Sequence, residues 1–265
     1  MNAKKHLSLV LLGMIIVLPL LTTSCFKKGE DDPFFSMYTR KARVTGKWNI
    51  TNMESIIKTT YNTDVQVRTT TTIDGLAWSE YTEILNTDST RLVEGKVLKN
   101  RNFVYFDKEG IYRQTYEYEY TVEEPTGEDS EESSFTQFRV FEEKSGTWNF
   151  LGNIDDYKNK ERMAVVIEES KQIIQVYTMT ISEDSEETPT WSFDSTYSTS
   201  VKYANGEYST IWELDMLKNK EIHTRQNVNY FYQHAINGQG SIYQEVGTVL
   251  QTLQKFGEEE TPAAE

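Results

Sequence analysis

Alternation with a period of two runs through most of this chain. Tyr112, Gln114, Tyr116, Tyr118, Tyr120 and Val122 fall on one face, and Arg113, Thr115, Glu117, Glu119 and Thr121 on the other. Val65, Val67, Thr69, Thr71 and Ile73 alternate in the same way. So do Met163, Val165 and Ile167; Ile173, Gln175, Tyr177, Met179 and Ile181; and Val228, Tyr230, Tyr232, His234 and Ile236. Successive strand side chains point to opposite faces, so this pattern predicts half-buried antiparallel strands. The richness in threonine, valine and tyrosine suits a pleated surface. No long amphipathic helix stands out. One short helix is predicted from Asp32 and Pro33, with Asp32 as its N-cap and Pro33 at its first helical position. Phe34, Phe35, Met37 and Tyr38 would then cover one end of a sheet or barrel. The chain reads as all-β.

The breaks between strands are acidic. Residues 123–134 (EEPTGEDSEESS) and 182–190 (SEDSEETPT) have no apolar period, and both contain Glu-Asp-Ser-Glu-Glu. Lys-Asn-Lys-Glu occurs twice, at 158–161 and 218–221, each time before a predicted strand. Asparagine tolerates the left-handed turn conformation, so these echoes predict similar hairpins. No fixed period of about 20–50 residues marks a repeat array. Residues 257–265 (GEEETPAAE) read as a frayed tail.

The N-terminus differs from everything after it. Lys4, Lys5 and His6 precede an apolar run at 7–21 (LSLVLLGMIIVLPLL). That run is shorter than the roughly 20 residues a membrane-spanning helix needs, and Pro19 opposes a permanent helix. It reads as a signal peptide. It ends in Leu-Thr-Thr-Ser-Cys at 21–25, and Cys25 is the only cysteine in the chain. A lone cysteine cannot form an internal disulfide, and an unmodified odd thiol is a redox liability in an exported protein.

Composition narrows the function classes. The formal charge is −14, and becomes −16 once the signal with Lys4 and Lys5 is removed. Phosphate backbones would repel such a chain, which argues against nucleic-acid binding. Sixteen tyrosines, twelve phenylalanines and five tryptophans supply core or pocket surface, and only five prolines argue against disorder.

Several motifs carry a resemblance. The stretch at 21–25 resembles the lipobox of bacterial lipoproteins, in the loose form found in Bacteroidota. The resemblance implies that Cys25 receives a diacylglyceryl group, becomes the first mature residue and is then acylated on its amine. Two or three acyl chains, at about 0.8 kcal/mol per buried CH₂, give a stable membrane anchor. The acids at Glu30, Asp31 and Asp32 resemble the surface-export signal of the same lipoproteins, although Lys27 and Lys28 come first. The implied address is the outer membrane, facing the cell surface, with the periplasmic leaflet as the alternative. Gly46 and Trp48 open the β region with a Gly-x-Trp that resembles the lipocalin-like signature. There, glycine permits a bend and tryptophan closes the barrel floor. Phe106, Gly110 and Tyr112 resemble a hairpin of small lipocalin-like domains, with Glu109 where that pattern has aspartate. Gly146 and Trp148 repeat the Gly-x-Trp form, and residues 212–221 resemble the late hairpin. The chain thus resembles an uncharacterised lipocalin-like lipoprotein family of Bacteroidota. The implied layout is a signal peptide at 1–24, a lipidated tether with a short helix at 25–42, a lipocalin-like β domain at 43–256 and a tail at 257–265. The chain is longer than such domains need, so the antiparallel barrel is expected to be enlarged or incompletely closed.

Candidate chemistry is sparse. His223 and His234 lack zinc-site spacing, and no metal is expected. No nucleophile elbow, P-loop or dinucleotide fingerprint occurs, and no carboxylate pair stands out as an acid and base. The acidic turns do not match a spaced calcium loop. No cofactor and no catalysis are expected. Tyr112, Tyr116, Tyr118, Tyr120 and His234 are the candidate ligand-binding residues, provided the tyrosine face lines a barrel rather than a filled core. Asp88-Ser89-Thr90 and Asp194-Ser195-Thr196 resemble the O-glycosylation acceptor of exported Bacteroidota proteins, making Ser89 and Ser195 candidates. The expected function is non-catalytic binding of a small apolar or amphipathic ligand. The alternative is an interaction or scaffold subunit of the envelope, with a protein partner and a filled core. A surface-displayed chain should be shaved by mild protease treatment of intact cells, whereas complete protection would remove the outward-facing reading.

Overall fold

A computed structural model describes residues 39–62, 65–124, 132–152, 161–182, 188–204, 206–236 and 239–257. Cys25 and the helix expected from Asp32 lie outside the described residues. The described helix is α1, Arg40–Val44, and twelve strands follow it. They are β1 Gly46–Tyr61, β2 Val65–Asp74, β3 Ala77–Ile84, β4 Thr90–Val97, β5 Phe103–Phe106, β6 Ile111–Glu124, β7 Glu132–Phe150, β8 Arg162–Ser182, β9 Ser192–Lys202, β10 Tyr208–Leu217, β11 Glu221–Ile236 and β12 Gln239–Lys255. All pair antiparallel, in one sheet that closes into a ring without being a regular barrel.

The two ends of the ring have different circumferences. At one end the pairing circuit is β1–β5–β6–β7–β8–β10–β11–β12. Four-residue β5 bridges Gly46–Asn49 of β1 to Tyr112–Thr115 of β6. Toward the other end β2, β3 and β4 take its place, with β4 meeting β6 only at Gly95–Val97. There β8 also exchanges partners, pairing with β10 over 162–167 and with β9 over 169–178. The upper half of β11 pairs with β12 alone. The ring is therefore narrow and closed at one end, and wide and open at the other.

The narrow end is filled. Trp48, Phe106, Met163, Val165 and Leu217 have no exposed surface, and Tyr112, Trp212 and Ile222 have almost none. Phe106 sits edge-on between Trp148 and Trp212, with ring centres 5.3 and 5.7 Å away. Eight strands enclose an interior that side chains can fill, and these rings fill it. Helix α1 caps the end: Thr39 Oγ1 accepts from Ala42 N, and Arg43 Nη1 donates to Leu217 O at 2.6 Å. The Trp48 indole N–H donates to Val44 O at 2.7 Å, so its one polar atom is satisfied where it is buried. Gly46 turns the chain into β1 at φ +133°, a conformation that favours glycine.

Local sequence accounts for the turns that set the register. In the β5–β6 hairpin Asp107, rather than residue 109, closes the turn. Its Oδ1 accepts from Ile111 N at 2.6 Å, and its carbonyl accepts from Trp148 Nε1 at 3.0 Å. Gly146 lies at a β7–β8 bulge, where a Cβ would overlap the Val166 carbonyl oxygen. The same bulge corrects one expectation. The runs at 163–167 and 173–181 belong to a single strand, and the unpaired Glu168 reverses the side-chain parity between them. Met163, Val165 and Ile167 face inward, but beyond the bulge Ile174 and Val176 do, while the odd-numbered Tyr177 packs on Phe193.

Replacing Trp48 by alanine should cost about 3–5 kcal/mol through the cavity it leaves. Replacement by phenylalanine should cost less, about 1–3 kcal/mol, through the unpaired Val44 carbonyl and a smaller void. Urea unfolding followed by circular dichroism measures both; equal stability of wild type and Trp48→Ala would contradict the filled floor.

Candidate functional site

Above the aromatic floor the ring outgrows what its side chains can fill, leaving a half-open cavity of about 260 Å³. The inward positions of nine strands reach it. Register aligns Met53 and Ser55 of β1 with Thr71 of β2 and with Trp78 and Glu80 of β3. Tyr112, Gln114, Tyr116 and Tyr118 come from β6, opposite Glu142 and Lys144 of β7. Tyr208, Gln226, Glu245 and Gln251 complete the lining from β10, β11 and β12. This wall mixes aromatic rings with charge, unlike the apolar floor beneath it.

One side is an aromatic wall. Trp78 stacks on Tyr118 with ring centres 4.3 Å apart, and Tyr116 packs on Tyr118 at 5.0 Å. Tyr120 extends the stack to Phe138 without lining the cavity. The Trp78 side chain lies near enough to favour ionisation of the Tyr116 hydroxyl. Even so, neither the indole N–H nor that hydroxyl completes a well-formed hydrogen bond, and both atoms are buried. Burial raises the Tyr112, Tyr116 and Tyr118 hydroxyls far above the usual tyrosine range, so they are neutral donors and acceptors.

The charged groups are unevenly matched. Among the described lining residues Lys144 is the single cation, against Glu80, Glu142 and Glu245. Its ammonium lies 5.7 Å from the Tyr208 ring centre. The Tyr208 hydroxyl, and then Glu142 and Glu245, hold Lys144 above the usual lysine range, although burial pulls it down. Glu142 accepts from Gln172 Nε2 at 3.0 Å, and Glu245 accepts a short hydrogen bond from the Tyr243 hydroxyl. Glu80 makes no hydrogen bond or ion pair with the described residues. Burial, and then the nearby Glu142 charge, raise its carboxyl above the ordinary 4.5, with Arg91 opposing. Neutral amides span the floor side of the cavity, where Gln226 Nε2 donates to Gln251 Oε1 at 3.0 Å. At its outer side Tyr203, Tyr208, Tyr230, Tyr243 and Tyr61 form a chain of ring contacts 4.7–6.2 Å apart.

The residues singled out from sequence are distributed unequally. Tyr112, Tyr116 and Tyr118 line the cavity, and Tyr120 backs its wall. The backbone of His234 pairs with Ser241, but its side chain lies outside the described residues. Gly46 and Trp48 are at the floor. Ser89 occupies the exposed turn between β3 and β4, and Ser195 lies on β9 with its hydroxyl donating to Asp194 Oδ2 at 2.7 Å. His223 pairs with Glu221 at the start of β11, away from the cavity. No group of three or more histidine, cysteine or acidic side chains among the described residues is arranged to hold a metal. Glu80, Glu142, Lys144 and Glu245 were not anticipated from sequence. For two of them a signal existed: counting back by twos from Trp148 reaches Lys144 and Glu142, so charge falls on an inward face.

Glu80 gives this site a definite pH signature. A folded-state value above the unfolded one means that its contribution is fully present below pH 4.5 and is lost as pH rises through the folded value. Glu80→Gln should therefore raise the melting temperature at pH 7 and change it little near pH 4. A variant destabilised at pH 7 would show that the carboxylate is compensated rather than strained.

No protein-family model, no curated protein and no solved structure matches this chain.

Proposed function

We propose that this chain is a non-catalytic, lipid-anchored envelope protein that binds a small amphipathic ligand inside its β ring. The observation that carries the reading is the lining of the cavity. Packed protein interiors avoid voids larger than water, and buried polar groups are normally paired. Here about 260 Å³ stays open beside an indole N–H and a tyrosine hydroxyl that lack well-formed hydrogen bonds, and beside the Glu80 carboxyl, whose ionisation burial disfavours. Concave, aromatic-walled sites with a few convergent polar groups are typical of small-molecule binding. The polar share of the wall favours an amphipathic ligand over a purely apolar one. At about 260 Å³ the cavity lies just below the roughly 300–1,000 Å³ of typical ligand pockets, which favours a small ligand. Strongly perturbed ionisable groups gathered in one cleft point the same way.

The anchoring half rests on sequence: an apolar signal followed by Cys25. No helix among the described residues is long and apolar enough to cross a membrane. In this reading the acyl chains on Cys25 hold the protein at the outer membrane.

A second reading, an interaction subunit of an envelope assembly, is favoured by β9. Phe193, Tyr197 and Val201 on that strand are each about half or more exposed, and exposed apolar clusters mark contact surfaces. Native mass spectrometry of the protein isolated from its own host separates the two. Small-molecule binding predicts an added mass of a few hundred daltons or less that leaves on mild activation. A bare chain accompanied by a stoichiometric protein would support the second reading instead.

A further inference from the structure

We propose that the ligand of this cavity is a small organic cation, an ammonium compound with a hydrogen-bond acceptor close to the charge. The inference rests on the small-ligand reading above and narrows it to a chemical class.

Charge is the first argument. Among the described residues three carboxylates and one ammonium line the cavity, and the four groups are not equivalent. Lys144 is engaged on the Tyr208 side, where Glu142, Glu245 and Tyr203 also act on it. Glu142 accepts from the neutral Gln172 as well, whereas Glu80 makes no hydrogen bond or ion pair with the described residues and has only the more distant Arg91 acting against its shift. Two carboxylates facing the same partly desolvated space repel each other and favour any cation that joins them. An anionic ligand, such as a fatty-acid carboxylate, would meet those same two charges and be disfavoured.

The aromatic wall is the second argument. Trp78, Tyr116 and Tyr118 line the same region as Glu80 and Glu142, and electron-rich rings attract ammonium groups, above all desolvated ones. The third is independent of charge. Trp78 is 97% buried, yet its indole N–H lacks a well-formed hydrogen bond, and the Tyr116 hydroxyl beside it is in the same state. A buried donor left unpaired costs about 1–3 kcal/mol. A ligand oxygen that accepts from both the Trp78 indole and the Tyr116 hydroxyl, with its ammonium between Glu80 and Glu142, satisfies the open groups on this wall at once.

Choline and n-butylamine are suitable cationic probes. 3,3-Dimethyl-1-butanol is a neutral isostere of choline, and hexanoate is an anionic control. Binding to the full mature chain in detergent is followed by calorimetry and by tryptophan fluorescence. A cation is expected to give saturable binding at least tenfold tighter than either control. Glu80→Gln should fold and weaken cation binding at least tenfold, while Lys144→Met should strengthen it. Equal or tighter binding of hexanoate or the neutral isostere overturns the cation inference but leaves the ligand-binding reading standing. Unchanged cation affinity in Glu80→Gln also overturns it. No saturable response to any probe, together with no small molecule retained from the host, overturns both.

Discussion

The circumference of the sheet is the constraint from which the rest of this structure follows. A circuit of eight strands encloses a space that side chains can fill completely, and the bridge made by β5 imposes that circuit at one end only. Aromatic rings then pack the floor without exposed surface. Beyond β5, three further strands lie between β1 and β6, and inward side chains can no longer meet across the ring. The cavity is thus a geometric result of where β5 stops, and the floor beneath it is what makes such an opening tolerable.

What lines the opening runs against stability. Placing carboxylates, an ammonium and unpaired donors in a partly desolvated space costs free energy unless each finds a partner. The Lys144 side offsets much of this through Tyr208, Glu142 and Glu245. On the Glu80 side only Arg91 opposes the shift, and no hydrogen bond or ion pair to the described residues forms. Local conflict with folding rules of this kind is expected where a surface serves something other than folding. The contrast within one cavity, matched on one wall and unmatched on the other, is more informative than its volume.

Much of the fold was legible in the sequence, because period-two alternation survives wherever a strand has one face in the core. Residues 112–122 and 65–73 became β6 and β2 on the faces their patterns indicate. The Gly-x-Trp at Gly46 and Trp48 lies at the floor because glycine allows the turn and the indole finds the Val44 carbonyl. Parity failed at Glu168, where a bulge depends on the neighbouring strand and on Gly146, neither of which a local pattern contains. The candidate site was half legible. Tyr112, Tyr116 and Tyr118 share one strand, so their common face could be read directly. Glu80, Glu142, Lys144 and Glu245 come from three different strands and meet only through long-range register. In so acidic a chain, each looked like one more solvated charge.

Helix α1 and the first residues of β1 sit at the narrow end, so the chain enters the ring from beneath its filled floor. The cavity opens at the opposite end. For a chain held to a bilayer through Cys25, this gives the molecule a polarity. On the proposed anchoring, the sealed end is the one closer along the chain to the lipid, and the open end is the one farther from it. Exchange with the surroundings then requires neither release from the membrane nor passage through it. On that proposal the anchor and the opening are separate parts, with the aromatic floor lying between them.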